Sequence, residues 1–143
     1  MRVTTIFSIL SLFTLAGCAT TGSLMIEPKD NVAVIAHRGA SAYAPENTLA
    51  AFEMAAEMGA DWYELDCLLT KDDVVIVSHD DTLDRCTNST GPVVDKTLAE
   101  LKTLDAGSWY DPKFAGETMP TLAESLTMAK DRIGVYVEIK SVA

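Results

Sequence analysis

Three observations predict that the chain folds as an α/β protein with a mainly parallel sheet. Four short runs rich in Val and Ile have the length and composition of buried strands. Segments with helical spacing and capping residues lie between most of these runs, as expected when helices connect parallel strands. Each run also ends in or carries charged residues. Because burying an unpaired charge is costly, we expect these charges to meet at one edge of the sheet.

The first predicted strand covers residues 32–36 and is followed by a helix. Asn47 or Thr48 caps the start of this helix, and capping is the only role expected of either residue. Gly59 suits the position just after its last turn. The second predicted strand covers about 61–69.

The link between the second strand and the third, over 74–78, is too short for a crossover helix. We therefore expect a hairpin, with an extended return over the strand as the alternative. A two-residue turn at Asp72-Asp73 would pair Asp66 with His79, which places a carboxylate and an imidazole side by side.

The later elements are marked by two capping boxes, in which Thr97 and Thr121 are each followed three residues later by Glu. The predicted order is a loop over 81–94, a helix from 97 to about 104, a loop over 105–120, a helix from 121 to about 131 and a strand over 135–139.

Composition limits the kinds of partner that the protein can have. A length of 143 residues favours one domain, and the net charge of -10 argues against nucleic acid, which basic surfaces bind. A small phosphate ester remains compatible, because it needs only a local positive group or a cation. Cys67 and Cys86 are far enough apart for a disulfide, although nothing in the sequence pairs them, and Cys67 is expected to be a small buried residue.

Residues 1–17 resemble a bacterial lipoprotein signal, in which an apolar stretch leads into Leu15-Ala16-Gly17-Cys18. The resemblance implies lipidation of Cys18 and a tether over residues 18–31. Ala19 is the residue type that favours the outer membrane in this sorting pattern, facing the periplasm of a bacterial cell envelope, so the only expected membrane contact is the lipid anchor. An ordinary secretory signal with a chance cysteine is the alternative.

Three carboxylates form a candidate metal site. Glu64 and Asp66 are two residues apart in a strand, so both face one side of the sheet. Two like charges this close are unfavourable unless a cation lies between them, and oxygen ligands suit Mg²⁺ or Ca²⁺. Glu138, on the fourth strand, is the third candidate ligand. Glu46 is a candidate for a further metal or hydroxyl contact.

The two histidines of the chain each close an apolar run beside another charge. His37 and His79 therefore suit a pair of general acid and general base near neutral pH. Arg38 offers a fork to phosphate oxygens, and Lys140 offers a point charge for the same group.

Five motifs together resemble the glycerophosphodiester phosphodiesterase family: HRG at 37–39, PENT at 45–48, ELD at 64–66, HDDTLDR at 79–85 and EIK at 138–140. The resemblance runs from about residue 32 to the C-terminus. It implies a TIM-type (β/α)8 barrel of the phospholipase C-like kind and metal-dependent hydrolysis of small glycerophosphodiesters to glycerol 3-phosphate and an alcohol. It assigns a divalent cation, Ca²⁺ or Mg²⁺, to Glu64, Asp66 and Glu138, phosphate binding to Arg38 and Lys140, and acid–base catalysis to His37 and His79. Which histidine is the acid stays open.

A TIM barrel takes about 250 residues, so residues 32–143 are expected to be the N-terminal half of one, from a longer gene product or a truncated gene. We expect such a half-barrel to be weakly stable and inactive alone. Two other functions stay open: a phospholipase D-like or phosphoinositide-type lipid phosphodiesterase, and a non-catalytic half-barrel lipoprotein of the envelope.

Overall fold

The computed structural model describes residues 32–140. The predicted signal over residues 1–17, the lipidation site Cys18 and the tether over residues 18–31 lie outside the described residues. Within 32–140, none of the helices combines the length and the apolar character required to cross a membrane.

A four-stranded sheet organises the structure. Its strands are β1 (Ile35–Ala36), β2 (Trp62–Leu69), β3 (Val75–Val77) and β4 (Gly134–Ile139). The central strand β2 pairs in parallel with β1 and β4 and antiparallel with β3. The prediction of an α/β fold with a mainly parallel sheet is confirmed, and β3 returns along β2 as a hairpin. The first strand is shorter than the predicted 32–36, and its apolar residues are largely exposed instead of buried.

Strands β1 and β3 occupy the same edge of β2. Cys67 pairs with both Val77 of β3 and Ile139 of β4, so β3 and β4 lie on opposite edges. β1 also lies opposite β4, and its pairing ends at Tyr63. The stretch Glu64–Asp66 is therefore left between the end of β1 and the end of β3. We call this stretch the edge gap.

The predicted hairpin is confirmed, but its predicted register is wrong by one residue. Ser78, and not His79, lies opposite Asp66, and its backbone N–H donates a 2.9 Å hydrogen bond to the Asp66 carbonyl. The loop has three residues because Asp73 adopts a left-handed φ of 59°, a conformation typical of the last residue in three-residue hairpin loops.

Three helices and two short 3-10 turns connect the strands: α1 (Leu49–Glu57), α2 (Leu98–Leu101), α3 (Leu122–Ala129), Val93–Asp95 and Pro112–Phe114. Thr48 caps α1, and the capping boxes predicted at Thr97 and Thr121 are both present. Helices α2 and α3 end earlier than predicted. α3 ends because Lys130 takes up a non-helical ψ of 126°.

Successive side chains of β2 face the apolar core and the candidate site in turn. Tyr63 and Cys67 belong to the core cluster that packs with α1 and α3, where the Tyr63 ring stacks on Phe52 at 4.3 Å between centroids. The buried position predicted for Cys67 is confirmed, and its thiol is free. Because strand side chains alternate, Glu64 and Asp66 point to the other face.

A second apolar cluster fixes the hairpin to the chain that follows it. Leu68 and Ile76 of the hairpin pack with Leu83, Val93 and Leu101, all of them buried. This cluster determines where the loop after β3 lies relative to the edge gap.

Candidate active site

The two predicted histidines enter the site from the same edge of β2. His37 directly follows β1, and His79 lies two residues after β3, so the segments that carry them leave the sheet on either side of the edge gap. His37 is largely exposed, and its Nε2 lies 3.9 Å from Oε2 of Glu64.

The three predicted metal ligands come together. Glu64, Asp66 and Glu138 each offer a carboxylate oxygen, and these oxygens lie within 4.8 Å of one another. Asp66 and Glu138 are direct neighbours in the β2–β4 register. Glu64 and Asp66 are buried, and Oε1 of the first and Oδ1 of the second have no hydrogen-bond partner. Buried carboxylate oxygens without donors, grouped beside a third carboxylate, fit a hard divalent cation.

The ammonium group of Lys140 shares these oxygens. Its Nζ donates to Oε1 of Glu138 and lies 3.0 Å from Oδ1 of Asp66, an ion pair whose angle does not make it a hydrogen bond. The two carboxylates raise the pKa of Lys140, with Glu138 as the larger cause. A divalent cation at this position therefore competes with the Lys140 ammonium for the same ligand atoms.

Arg38 contacts acidic side chains of the site through both its backbone N–H and its guanidinium group. Its φ of 57° is unusual for a residue other than glycine. Its backbone N–H donates a 2.8 Å hydrogen bond to Oε2 of Glu64, and Nη1 donates to Oε1 of Glu46 at 2.9 Å. Its Nε lies 3.6 Å from Oδ2 of Asp66 without forming a hydrogen bond. Arg38 is thus already held by three carboxylates.

Asn47 has a role that the sequence analysis missed. The prediction that it serves only as a cap is wrong, because Thr48 caps α1 and Asn47 Nδ2 donates a 2.9 Å hydrogen bond to Oδ2 of Asp66. Two cap-type residues stand side by side in the sequence, and only one can cap. The presence of a second cap-type residue beside Thr48 was therefore the sequence signal that Asn47 could have another function.

Glu46 binds arginines and does not join the group of three carboxylates. Both of its oxygens accept hydrogen bonds from Arg85 at 2.8 Å, and one also accepts from Arg38. These bonds, with Arg85 as the largest cause, lower the pKa of Glu46. Arg85 was not among the predicted site residues, and 39 positions separate it from Glu46 in the sequence.

The ring of His79 is oriented by its sequence neighbour. Nδ1 lies 2.7 Å from Oδ1 of Asp80. Because an ionised carboxylate only accepts, Nδ1 carries the proton, and Nε2 is left to exchange a proton with a ligand. Hydrogen bonds from Arg85, followed by those from His79, lower the pKa of Asp80 to about 2, so this carboxylate is ionised throughout the neutral range.

A small cavity of about 30 Å³ lies beside His79, and Cys86 is part of its wall. Burial, and then the charge of Glu46, raises the pKa of the Cys86 thiol to about 11. The thiol is therefore protonated at neutral pH and is a poor nucleophile. Cys86 is free, so no disulfide joins it to Cys67.

Comparison with known proteins gives a consistent picture. Residues 37–143 match the glycerophosphoryl diester phosphodiesterase family. The chain is 55% identical over 109 residues to a glycerophosphodiester phosphodiesterase of Caldanaerobacter subterraneus, covering 76% of this chain and 45% of that protein. It spans less than half the length of the first curated relatives that it matches.

Two solved structures resemble the described fold. The crystal structure of a glycerophosphodiester phosphodiesterase from Agrobacterium tumefaciens has a TM-score of 0.75 at 47% identity, over 77% of this chain and 48% of that one. A phosphodiesterase of Oleispira antarctica in complex with the product sn-glycerol-3-phosphate has a TM-score of 0.74 at 44% identity, over 76% of this chain and 44% of that one. The predicted fold class, part of a TIM-type α/β barrel, is confirmed.

Proposed function

The chain belongs to the glycerophosphoryl diester phosphodiesterase family, and from this premise we propose that the protein hydrolyses glycerophosphodiesters to glycerol 3-phosphate and an alcohol. The observation that carries the proposal is the gathering of Glu64, Asp66 and Glu138 beside the segments that bear both histidines. The Oleispira antarctica phosphodiesterase was solved in complex with the product sn-glycerol-3-phosphate, which supports the same substrate class.

The group of three carboxylates would hold one divalent cation, Ca²⁺ or Mg²⁺. When bound, this cation supplies positive charge that stabilises the charge developing on the phosphoryl oxygens. The buried oxygens Oε1 of Glu64 and Oδ1 of Asp66 support its binding there, since neither accepts a hydrogen bond, although the second is paired with the ammonium group of Lys140.

The side chains of this chain supply the proton transfers. His79 presents Nε2 because its Nδ1–H is held by Asp80, and His37 stands exposed near Glu64. One imidazole takes a proton from the attacking hydroxyl, and the other protonates the departing alkoxide. If the attacking hydroxyl belongs to water, glycerol 3-phosphate forms directly; if it belongs to the substrate glycerol, a cyclic phosphate forms, and water then opens it to glycerol 3-phosphate.

Two positive side chains balance the phosphate charge. Arg38 and Lys140 both lie at the rim of the carboxylate group, and each is held by carboxylates that fix its place. Their charge lowers the cost of bringing a phosphodiester anion next to Glu64 and Asp66.

The test is the release of glycerol 3-phosphate from glycerophosphocholine in the presence of Mg²⁺ or Ca²⁺. It is measured in the longer gene product that the sequence leads us to expect, as the wild type, H79A and E64Q. H79A should lower kcat by about 10²- to 10⁴-fold, and E64Q should weaken metal binding in calorimetry. E53Q, in an exposed residue of α1, is the matched control and should leave both unchanged. Wild-type activity on intact phospholipid but not on the deacylated diester would replace this proposal with a lipid phosphodiesterase.

We further propose that Cys18 is lipidated and anchors the protein to the outer membrane of a bacterial envelope, facing the periplasm. The support is the sequence around Leu15–Cys18 alone. Metabolic labelling with a fatty acid should mark the wild type and not C18S. Equal labelling of both proteins would contradict the anchor.

A further inference from the structure

Arg85 joins two acidic side chains that belong to different loops. Its Nη1 and Nη2 donate to the two oxygens of Glu46, each at 2.8 Å. Its Nε donates to Oδ2 of Asp80 at 2.7 Å, and Nη2 also donates to Oδ1 at 3.1 Å. One guanidinium group thus forms a two-point contact with each of two carboxylates.

Each of these carboxylates also holds a residue of the proposed active site. Oε1 of Glu46 accepts from both Arg85 and Arg38. Oδ1 of Asp80 accepts from Arg85 and from Nδ1 of His79. Arg85 therefore stands between a phosphate-binding residue and an acid–base residue, although its described contacts are with neither of them.

The planar guanidinium group suits this position in a way that an ammonium group does not. Five donors in a fixed fork can meet two carboxylates at once, whereas Lys offers a point charge on a flexible stem. The two acids raise the pKa of Arg85 far above its usual value, which is consistent with a permanently charged group in this network.

The contribution of Arg85 concerns orientation more than stability. Its side chain is 44% exposed, and ion pairs at such positions contribute little to folding. The backbone around it is already fixed, because Leu83 is buried in the second apolar cluster and its carbonyl accepts a 2.7 Å hydrogen bond from Oγ1 of Thr87. The loop should thus persist without the guanidinium group, while Glu46 and Asp80 would lose their common donor.

We propose that Arg85 is a positioning residue that aligns the His79 ring through Asp80 and the Arg38 guanidinium through Glu46. This assignment rests on the proposed diesterase function for its kinetic consequences. Its structural consequence, a defined tautomer of His79, does not depend on that function.

The kinetic test compares R85A and R85K with R132A, the last in an exposed arginine just before β4 at the opposite end of the sheet. R85A and R85K should both lower kcat by about 10- to 100-fold, because small displacements of catalytic groups have effects of this size. Unfolding midpoints should stay close to that of the wild type. Guanidinium chloride below denaturing concentrations should restore part of the activity of R85A, and R132A should resemble the wild type. Full activity in R85K, or no rescue of R85A by guanidinium, would overturn the assignment.

The structural test measures the ring nitrogens of His79 by ¹⁵N NMR, with H37Q to assign the two imidazoles of the chain. The wild type and R132A should show the Nδ1–H form, and R85A should shift toward the mixture of an unconstrained ring. An unchanged pattern in R85A would overturn the positioning role even if the diesterase activity is confirmed. If the wild type has no diesterase activity but R85A still differs from it in the ¹⁵N pattern of His79, the proposed function is overturned and the positioning role stays supported.

Discussion

Nδ2 of Asn47 donates a 2.9 Å hydrogen bond to Oδ2 of Asp66, although 19 positions separate the two residues in the sequence. Asp66 is almost fully buried, and its other oxygen has no donor. The amide thus fixes one oxygen of the carboxylate and leaves the second one, which lies 3.0 Å from Nζ of Lys140, as a candidate metal ligand. The φ of 58° at Asn47 makes this contact possible, and Asn tolerates that conformation better than most residues.

Two substitutions of Asn47 should distinguish the stability that its side-chain hydrogen bonding provides from the cost of its left-handed backbone conformation. N47A should lower the free energy of unfolding by roughly 2–4 kcal/mol, because a buried charged acceptor loses its donor and alanine is strained in the left-handed region. N47G removes the same two side-chain hydrogen bonds to Asp66, one donated and one accepted, without the left-handed strain, and should be less destabilising than N47A. Urea unfolding of both variants checks this. Equal stability of N47A and the wild type would show that the hydrogen bond to Asp66 is unimportant for folding.

Gly39 should resist substitution more strongly than a glycine in open space. Its φ is 79°, and a Cβ there would lie 2.8 Å from backbone and side-chain atoms of Ala51. G39A should therefore cost about 2–5 kcal/mol, from backbone strain and overlap together. Gly116 has a φ of 90° with nothing within 4 Å of the added Cβ, so G116A should cost only about 1–2 kcal/mol. Similar unfolding midpoints for the two variants would contradict the close approach of α1 to the turn at Gly39.

Asp80 should make a small contribution to stability in a defined range of pH, because solvent screens its partly exposed ion pair with Arg85. Arg85 lowers the pKa of Asp80 to about 2 in the folded state, whereas the unfolded value is about 3.9. Because the folded value is depressed, the contribution is complete above about pH 4 and is lost as the pH falls toward 2. The stability difference between the wild type and D80N should thus shrink over this range in urea unfolding. A difference that stays constant from about pH 4 to pH 2 would contradict the depressed pKa of Asp80.

Removal of the Lys140 ammonium group should not weaken metal binding. Its ammonium group competes for oxygens of Asp66 and Glu138, so K140M should bind Mg²⁺ or Ca²⁺ at least as tightly as the wild type. D66N should weaken binding by about tenfold or more, because a buried ligand is lost. Isothermal titration calorimetry on both variants, with diesterase assays beside it, distinguishes the two effects. Weaker metal binding in K140M than in the wild type would show that the lysine supports the cation and does not compete with it.

Local patterns in the sequence predicted the strands and the caps. Thr97 and Thr121 begin capping boxes whose partners lie three residues away, so the signal is contained in one helical turn. The gathering of Glu138 with Glu64 and Asp66 also followed from the rule that parallel strands bring their carboxyl ends together, but the direct pairing of Asp66 with Glu138 was not predicted.

Features that depend on backbone conformation or on distant contacts were missed. The register of the hairpin was displaced by one residue because nothing in the sequence marks Asp73 as left-handed. The partners of Arg85 could not be predicted either, since the approach of Glu46 depends on how two loops fold over the edge gap. Single-residue propensities contain no information about such an approach.

Because β1 and β3 lie along the same edge of β2, the hairpin tolerates only some insertions. Because side chains alternate along a strand, sliding β3 by one residue against β2 would turn the residues leading to His79 toward the opposite face. Insertions at the hairpin tip are therefore compatible with the site only when they leave the β2–β3 register unchanged. The loop over 102–120 contains no residue of the β2–β3 pairing, so grafts or affinity tags are better placed there, away from Ala106 and Met119, which line the small cavity.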